Sequence, residues 1–325
     1  MTKGVKNYLI TGFSGFVSRY FLEYLQQKQE KANIFGVDTV GPSFDFKCGS
    51  NINIKFSKVD LLDKDKVRKI VLSSRPDFIL HLASFSSVAL SWKKPVLSFN
   101  NNTNIFLNLL DTVRETGMKC RILSVGSSEE YGIIKNKSLP ISESISLNPI
   151  SPYAVARVSQ ELLSKIYVDG YGLSIIMTRS FNHIGPRQKD VFVVSSFARQ
   201  MVKMKKEGRN KGVLRVGNIG IVRDFLDIRD VVKAYYLLLQ KGKSGEIYNV
   251  CVGRGVSLKE LINYIADYLR IKVELKVDQA LIRPNDNPVI IGSNRKIRDE
   301  LGWHPEIPLK KSIADICDYW KDDSK

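Results

Sequence analysis

Four cysteines and three histidines leave a chain of 325 residues little from which to build a metal centre or a disulfide framework. Cys48, Cys120, Cys251 and Cys317 are scattered without a C-x-x-C pairing, and His81 and His304 lack metal-ligand company. Both histidines are therefore read as packing or hydrogen-bonding residues, and no metal is expected. No apolar run approaches the ~18 to 20 residues that a spanning helix requires, so no membrane partner is expected. No charged-then-apolar leader with a small-residue cleavage site is found either, and the expected location is the cytoplasm. Internal repeats and low-complexity linkers are missing as well.

Positive charge is plentiful, with a formal net charge of +17. Such a balance raises nucleic acid as a partner, because clustered Lys and Arg neutralise phosphates and release counterions. The lysines are instead spread from Lys3 to Lys325, and the densest run, Lys203 through Lys211, reads as a solvated helix end. No specific nucleic-acid partner is expected. The same field suits a small polyanion such as a nucleoside diphosphate. An apolar content of 43% lets a chain of this length bury one large core or two connected ones.

The first half alternates short β-branched runs with amphipathic stretches. Strands are expected at Asn7 to Thr11, Asn33 to Val37, Lys55 to Val59, Asp77 to Leu82, Arg121 to Gly126 and Ser174 to Arg179. Helices are expected near Phe16 to Lys28, Asp63 to Ser73, Pro95 to Glu115 and Pro152 to Tyr171, with Asp60 and Asp63 as caps. Alternation of this kind predicts an α/β fold, a Rossmann-type doubly wound parallel sheet. Regularity fades after about residue 180. Residues 1–180 are read as the dinucleotide-binding domain and 181–325 as mainly a smaller mixed α/β substrate-binding lobe, with segments near 221–252 returning to the large sheet.

Strand Tyr8 to Ile10 runs into Thr11-Gly12-Phe13-Ser14-Gly15-Phe16-Val17-Ser18. Glycines there let the backbone turn tightly against a pyrophosphate, whose charge meets the free N–H groups of the following helix. Asp38, at the end of the second strand, is placed to accept hydrogen bonds from an adenosine ribose and to repel a 2′-phosphate. The expected cofactor is therefore NAD(H), favoured over NADP(H). Ser18 stands where the pattern has its third glycine, and its extra atoms are expected to loosen the helix contact slightly.

Gly12-x-x-Gly15, Asp60-Leu61, His81-Leu82-Ala83, Ser127-Ser128-Glu129-Glu130-Tyr131-Gly132 and Tyr153-x-x-x-Arg157 follow the order of the extended short-chain dehydrogenases/reductases, the NAD-dependent epimerase/dehydratase family, which the chain resembles over nearly its whole length. Ser127 to Gly132, Ser180 to Gln188 and Arg223 to Asp230 look most like the GDP-4-keto-6-deoxy-mannose reductases and, less closely, the GDP-mannose 4,6-dehydratases. The resemblance implies a coenzyme held by Gly12, Phe13, Ser14, Gly15, Phe16, Val17, Asp38, Asp60, Leu61, Leu82, Ala83, Tyr153 and Arg157.

The reaction implied is hydride transfer at C4 of a GDP-linked mannose-type sugar. Tyr153 moves the proton on the reacting oxygen and Ser127 hydrogen-bonds that oxygen. A free phenol titrates near 10, and bringing one to about 7 requires roughly 4 kcal/mol of phenolate stabilisation, which a fixed cation can supply. The family uses lysine for that cation; here the position is Arg157, a larger planar group, and the exchange is not conservative. Glu129 falls where the 4,6-dehydratases keep a working carboxylate. It leaves dehydration open, alongside C4 dehydrogenation or epimerisation with retained NAD. The departures at Ser18 and Arg157 also leave open a non-catalytic nucleotide-sugar sensor.

For the substrate, the resemblance implies contacts from Ser128, Glu129, Asn182 and His183, with Arg223 and Arg283 gripping the diphosphate. An Arg223–Asp224 salt bridge stays open as the alternative for Arg223. A homodimer is implied through the Tyr153 helix and the helix before it, for which Val155, Val158, Leu162 and Leu163 supply apolar side chains.

Overall fold

In the computed structural model, which describes residues 4–42, 49–134, 138–282 and 287–322, the early alternation becomes one parallel sheet. In chain order come β1 (Lys6–Thr11), α1 (Phe16–Gln27), β2 (Ala32–Asp38), β3 (Ile52–Lys58), α2 (Lys64–Ser74) and β4 (Phe78–His81). Next are α3 (Val88–Lys93), α4 (Pro95–Phe99), α5 (Ile105–Glu115), β5 (Arg121–Ser127), α6 (Pro152–Tyr171) and β6 (Ser174–Ser180). The later elements are β7 (Asn182–Ile184), α7 (Val193–Lys206), β8 (Lys211–Val216), β9 (Val222–Asp227), α8 (Ile228–Lys241) and β10 (Ile247–Val250). The chain closes with β11 (Gly255–Ser257), α9 (Leu258–Leu269), β12 (Lys272–Val277), β13 (Val289–Ile290), α10 (Arg295–Leu301) and α11 (Leu309–Asp322).

Seven strands pair in the order β10-β6-β5-β4-β1-β2-β3, all parallel. Alternate side chains of β1 point to opposite faces. Tyr8 and Ile10 join a core with α1 and α8, whereas Leu9 joins one with α2, α5 and α6. Each fully buried leucine or isoleucine of these cores contributes about 2 kcal/mol of transfer free energy. Local signals start and stop the helices: Asp63 accepts from Lys66 N–H ahead of α2. Ser151 accepts from Ala154 N–H ahead of α6, Pro152 sets its first turn, and Gly172 ends it in the left-handed region.

One expectation holds with a local departure and another needs correction. The stretch from Pro95 to Glu115 is helical throughout, with a π-helical turn at Asn100–Asn104 joining α4 to α5. Asparagine side chains compete there with the backbone: Asn101 donates to Leu97 O at 3.0 Å, and Asn102 donates to Ser98 O at 2.7 Å while accepting from Phe85 N–H at 3.2 Å. Within 221–252, α8 and β10 pack on the large sheet, but β9 does not. It pairs with β7, β11 and β13, and its Phe225 lies in a separate core with α7, α9 and α11. Beside that core β8 pairs with β12. Late residues return elsewhere, since Ile297 of α10 and Trp303 enter the core between α1 and α8.

Cys120 is half-buried, Cys251 and Cys317 are buried, and all three are free thiols; Cys48 lies outside the described residues. Among the described residues no group of three or more His, Cys, Asp or Glu is arranged to hold a metal, and no helix is long and apolar enough to cross a membrane.

The sheet tolerates the first crossover only because Gly12 has no side chain. Its φ is +67°, and a Cβ there would lie 2.7 Å from Ala83 N and 2.8 Å from the Leu82 carbonyl carbon. Gly12→Ala is therefore expected to lose about 2 to 4 kcal/mol of stability through strain and overpacking, read from urea unfolding. An unchanged midpoint would show that the turn can relax.

Candidate active site

Because every strand of the large sheet runs the same way, their carboxyl ends share one edge, where open α/β sheets bind ligands. There β1 gives way to the glycine turn. Gly15 N–H donates to Gly12 O at 3.0 Å, and Gly15 then serves as the N-cap of α1. The first-turn N–H groups of Phe16 and Val17 have no acceptor within the helix, a polarity that suits an anion. Ser18 does not loosen this contact. Fully buried, its hydroxyl donates back to Phe13 O and to Gly15 O, the latter at 3.1 Å, so the side chain ties the helix to its turn.

The rest of the cradle follows from its hydrogen bonds. Asp38 accepts from Ser14 N–H at 3.0 Å and from Thr39 N–H at 2.7 Å, which fixes its carboxylate against the glycine turn. Ser14 Oγ donates to Val40 O. Phe13 is turned inward: its ring is buried against Gly36 and Phe56, and its N–H donates to Val37 O. Leu61 is likewise a core side chain, and exposed Asp60 accepts from Leu62 N–H. Thr11 Oγ1, at the end of β1, accepts from both Leu82 and Ala83 N–H at 3.2 Å and meets His81 Nδ1 at 2.9 Å. That hydroxyl anchors the end of β4 beside the turn. The left-handed glycine, the anchored backbone of residues 82–83 and the helix N-terminus form a cradle that a Cβ would fill, and this fits a dinucleotide pyrophosphate.

Ser127 ends β5 and opens a short 3-10 turn, Ser128–Tyr131. Its Oγ accepts from Glu129 N–H at 3.3 Å, and its own N–H donates to Glu130 Oε1 at 2.6 Å. Ser128 is buried and Glu129 half-buried in the same turn. Beneath it, Arg179 makes a two-pronged ion pair with Glu161 at 2.7 and 2.8 Å, and its guanidinium lies 4.7 Å from the centre of the Tyr131 ring. Glu130 is wholly buried. Desolvation first and the Glu161 carboxylate second push its carboxyl up to about 8, against the pull of the Ser127 N–H and of Arg179.

Tyr153 and Arg157 are both buried, one turn apart on α6. Arg157 Nε–H donates to the Tyr153 phenolic oxygen at 3.2 Å, and Nη1–H donates to Gln160 Oε1 at 2.6 Å. Tyr153 N–H in turn donates to Ser91 Oγ of α3 at 3.2 Å. The pair is neither a surface tyrosine nor a solvated helix-face arginine.

Asn182 and His183 lie in β7, directly beyond β6. His183 stacks on Phe16 of α1, ring centres 6.2 Å apart and nearly parallel, so it borders the glycine turn. Burial brings it down to about 4, against a backbone hydrogen bond at Phe181, and its Nδ1 has no hydrogen-bond partner among the described residues. Arg223 and Asp224 do not pair with each other. Arg223 Nη1 donates to the carbonyls of Val222 and Asn287, whereas Asp224 accepts from Val252 and Gly253 N–H at 2.8 Å and from Gly292 N–H at 3.3 Å. Burial raises the Asp224 carboxyl to about 6 despite those donors. Arg283 lies outside the described residues.

Sequence reasoning passed over Thr11, Gln160 and Arg179. A polar residue at the last position of an apolar strand was the available signal for Thr11. Arg179 pairs with Glu161, 18 residues away, and Gln160 reaches across 36 residues to Ser124, so local spacing does not reveal either link.

The strand order, the cradle at the first crossover and the late elements folded back on the last strands define an extended short-chain dehydrogenase/reductase. A solved structure of the Pseudomonas aeruginosa protein RMD complexed with NADPH matches with a TM-score of 0.83 at 32% identity, covering 97% of this chain and 99% of that one. A Thermus thermophilus UDP-glucose 4-epimerase complexed with NAD matches with a TM-score of 0.83 at 26% identity, covering 97% and 99%. More narrowly, a family model described as GDP-mannose 4,6 dehydratase matches residues 9–316, and the chain belongs to that family. The GDP-6-deoxy-D-mannose reductase of Pseudomonas aeruginosa is 33% identical over 96% of each chain.

His81 offers a readout of how dry the edge is. Burial first, then the Arg157 cation, lowers it to about 3, so the folded protein keeps it neutral. In the unfolded chain it titrates near 6.5, so this stability is full above that pH and is lost as pH falls through the window toward 3. At pH 5 the loss is about 2 kcal/mol. His81→Asn, which still offers Thr11 an amide, should shrink the difference in urea stability between pH 7 and pH 5 by that amount. An unaltered difference would mean that His81 is not the group titrating.

Proposed function

We propose that this protein is a cytoplasmic GDP-sugar oxidoreductase that transfers hydride at C4 of a mannose-type sugar in the sense of a GDP-4-keto-6-deoxy-mannose reductase. One observation carries the reading: a buried arginine donates to the phenol of Tyr153 on the helix packed against the strand that ends in Ser127. Tyr153 moves the proton on the C4 oxygen, Ser127 hydrogen-bonds the same oxygen, and Arg157 stabilises the phenolate. A nicotinamide coenzyme in the cradle formed by Gly12, Gly15, the α1 N-terminus, Leu82 and Ala83 supplies or accepts the hydride. Residues 1–180 carry chiefly the coenzyme and 181–325 the nucleotide-sugar, with Asn182, Arg223 and Arg283 on its polar groups.

Asp38 supports NAD(H) over NADP(H). Its carboxylate is held against the glycine turn by Ser14 N–H, and a 2′-phosphate bound beside it would add a second negative charge. Glu129 supports a second reading, 4,6-dehydration of a GDP-hexose with retained NAD, since its backbone N–H meets the Ser127 hydroxyl that is proposed to bind the reacting oxygen. Incubation with GDP-4-keto-6-deoxy-mannose or GDP-mannose, each with NADH, NADPH or NAD, decides among these when products are identified by mass spectrometry and NMR. Reduction of the keto sugar with NADH, lost by about 10²-fold or more in Tyr153→Phe, is expected. Water loss from GDP-mannose that depends on Glu129 would instead establish the dehydratase. Turnover of neither, with tight GDP-sugar binding, would favour a sensor.

A homodimer is proposed through α6 and its neighbours. Val155, Leu162 and Ile166 of α6 are exposed, as are Leu97 and Phe99 of the adjoining α4, making an apolar face of the kind monomers rarely leave open. Of the other two α6 candidates, Val158 and Leu163 are half-buried, and Leu163 packs on the sheet side. Leu162→Glu with Ile166→Glu should yield a monomer by sedimentation; a wild-type monomer would refute the pairing.

A further inference from the structure

Arg157 is held at two points, and only one of them is the phenol. Its planar guanidinium directs Nε–H to Tyr153 and Nη1–H to Gln160 Oε1. Gln160 has almost no exposed surface and is engaged at its other end, where Nε2 donates to Ser124 Oγ at 2.8 Å and approaches Val125 O at 3.4 Å. Ser164, one turn further along α6, donates to Gln160 O at 3.0 Å and to Ser124 Oγ at 3.3 Å. Ser124 and Val125 belong to β5, the strand that ends in Ser127.

A carboxamide accepts at one end and donates at the other in one plane, so it can bridge a cation and a hydroxyl with no charge of its own. Because the guanidinium fork is rigid, fixing Nη1 also fixes where Nε points. Removing the acceptor would leave Nη1 unpaired in a buried site and free Arg157 to swing from the phenol. A lysine, with one nitrogen at the end of a flexible stem, cannot serve the phenol and this acceptor through two separate atoms.

We propose that Gln160 is a positioning residue that locks the Arg157 guanidinium to β5, so that its Nε–H stays on the Tyr153 phenol and the phenol's helix keeps its place against the strand bearing Ser127. The proposal rests on the reading of Tyr153 and Arg157 as the reacting pair.

A double-mutant cycle of Gln160→Leu and Arg157→Lys tests it. All four proteins are assayed for reduction of GDP-4-keto-6-deoxy-mannose with NADH, and NADH affinity is measured separately by fluorescence. In the Arg157 background, Gln160→Leu should lower kcat about tenfold with the sugar KM within about twofold, and weaken NADH about fivefold. In the Arg157→Lys background the same change should alter each by less than about twofold, because the two residues act as a unit. Equal losses in both backgrounds, or no loss in either, would overturn the proposal. Ser124→Ala, which removes only the anchor behind the amide, is the milder variant if Gln160→Leu does not fold. It should lower kcat about threefold with Arg157 present and not at all with lysine there, and an additive result would again overturn the assignment. Should the wild type turn over no GDP-sugar, the functional reading falls, while the NADH cycle still decides the role of Gln160.

Discussion

Parallel pairing of all seven strands is the constraint from which the rest of the molecule follows. It puts every carboxyl end on one edge and requires a crossover after each strand, and the first crossover must approach the fourth strand's end too closely for any residue but glycine. Thr11 then converts proximity into order, since a single hydroxyl accepts from two successive backbone N–H groups of the neighbouring strand's extension. Gly12, Asp38, Ala83, Ser127 and Asn182 come from five separate strand ends, yet this arrangement gathers them without any of them being adjacent in sequence.

Polar groups buried along that edge are arranged by charge. Arg179 is neutralised by Glu161, whereas Glu130 has one oxygen with no hydrogen bond among the described residues, 4.0 Å from Arg179 Nε, and is favoured in its protonated form by burial. His81 stays neutral beside Arg157, so its ring adds no second cation there. The arginine's own hydrogen bonds go to neutral acceptors, a phenol and an amide. Among the described residues Arg157 has no ion-pair partner, and an uncompensated cation in low dielectric polarises a neighbouring phenol more strongly than a compensated one. The exchange that looks least conservative in the sequence thus has a physical rationale in the packing around it.

Ser18 makes a similar point on a smaller scale. As a replacement for glycine it reads as added bulk, and bulk alone would push the helix from its turn. Its hydroxyl instead finds two carbonyls within reach, so the added atoms close the contact. Whether extra volume loosens or tightens a junction depends on whether polar partners stand where the new atom lands.

The sequence by itself determined the parallel α/β architecture, because strand and helix periodicities alternate strongly through residue 180 and caps such as Asp63 and Ser151 act locally. It also determined the glycine turn, Asp38 and the Tyr153–Arg157 pair, since a left-handed turn and a one-turn helical spacing are short-range properties. Tertiary structure alone decided that Phe13 and Leu61 pack inward, that β9 joins the second sheet, and that Arg223 and Asp224 turn to different partners. It alone decided, too, that Gln160 bridges α6 to β5. These outcomes depend on which distant backbone group offers a hydrogen bond or a cavity, and residue spacing carries no record of that until the chain has folded.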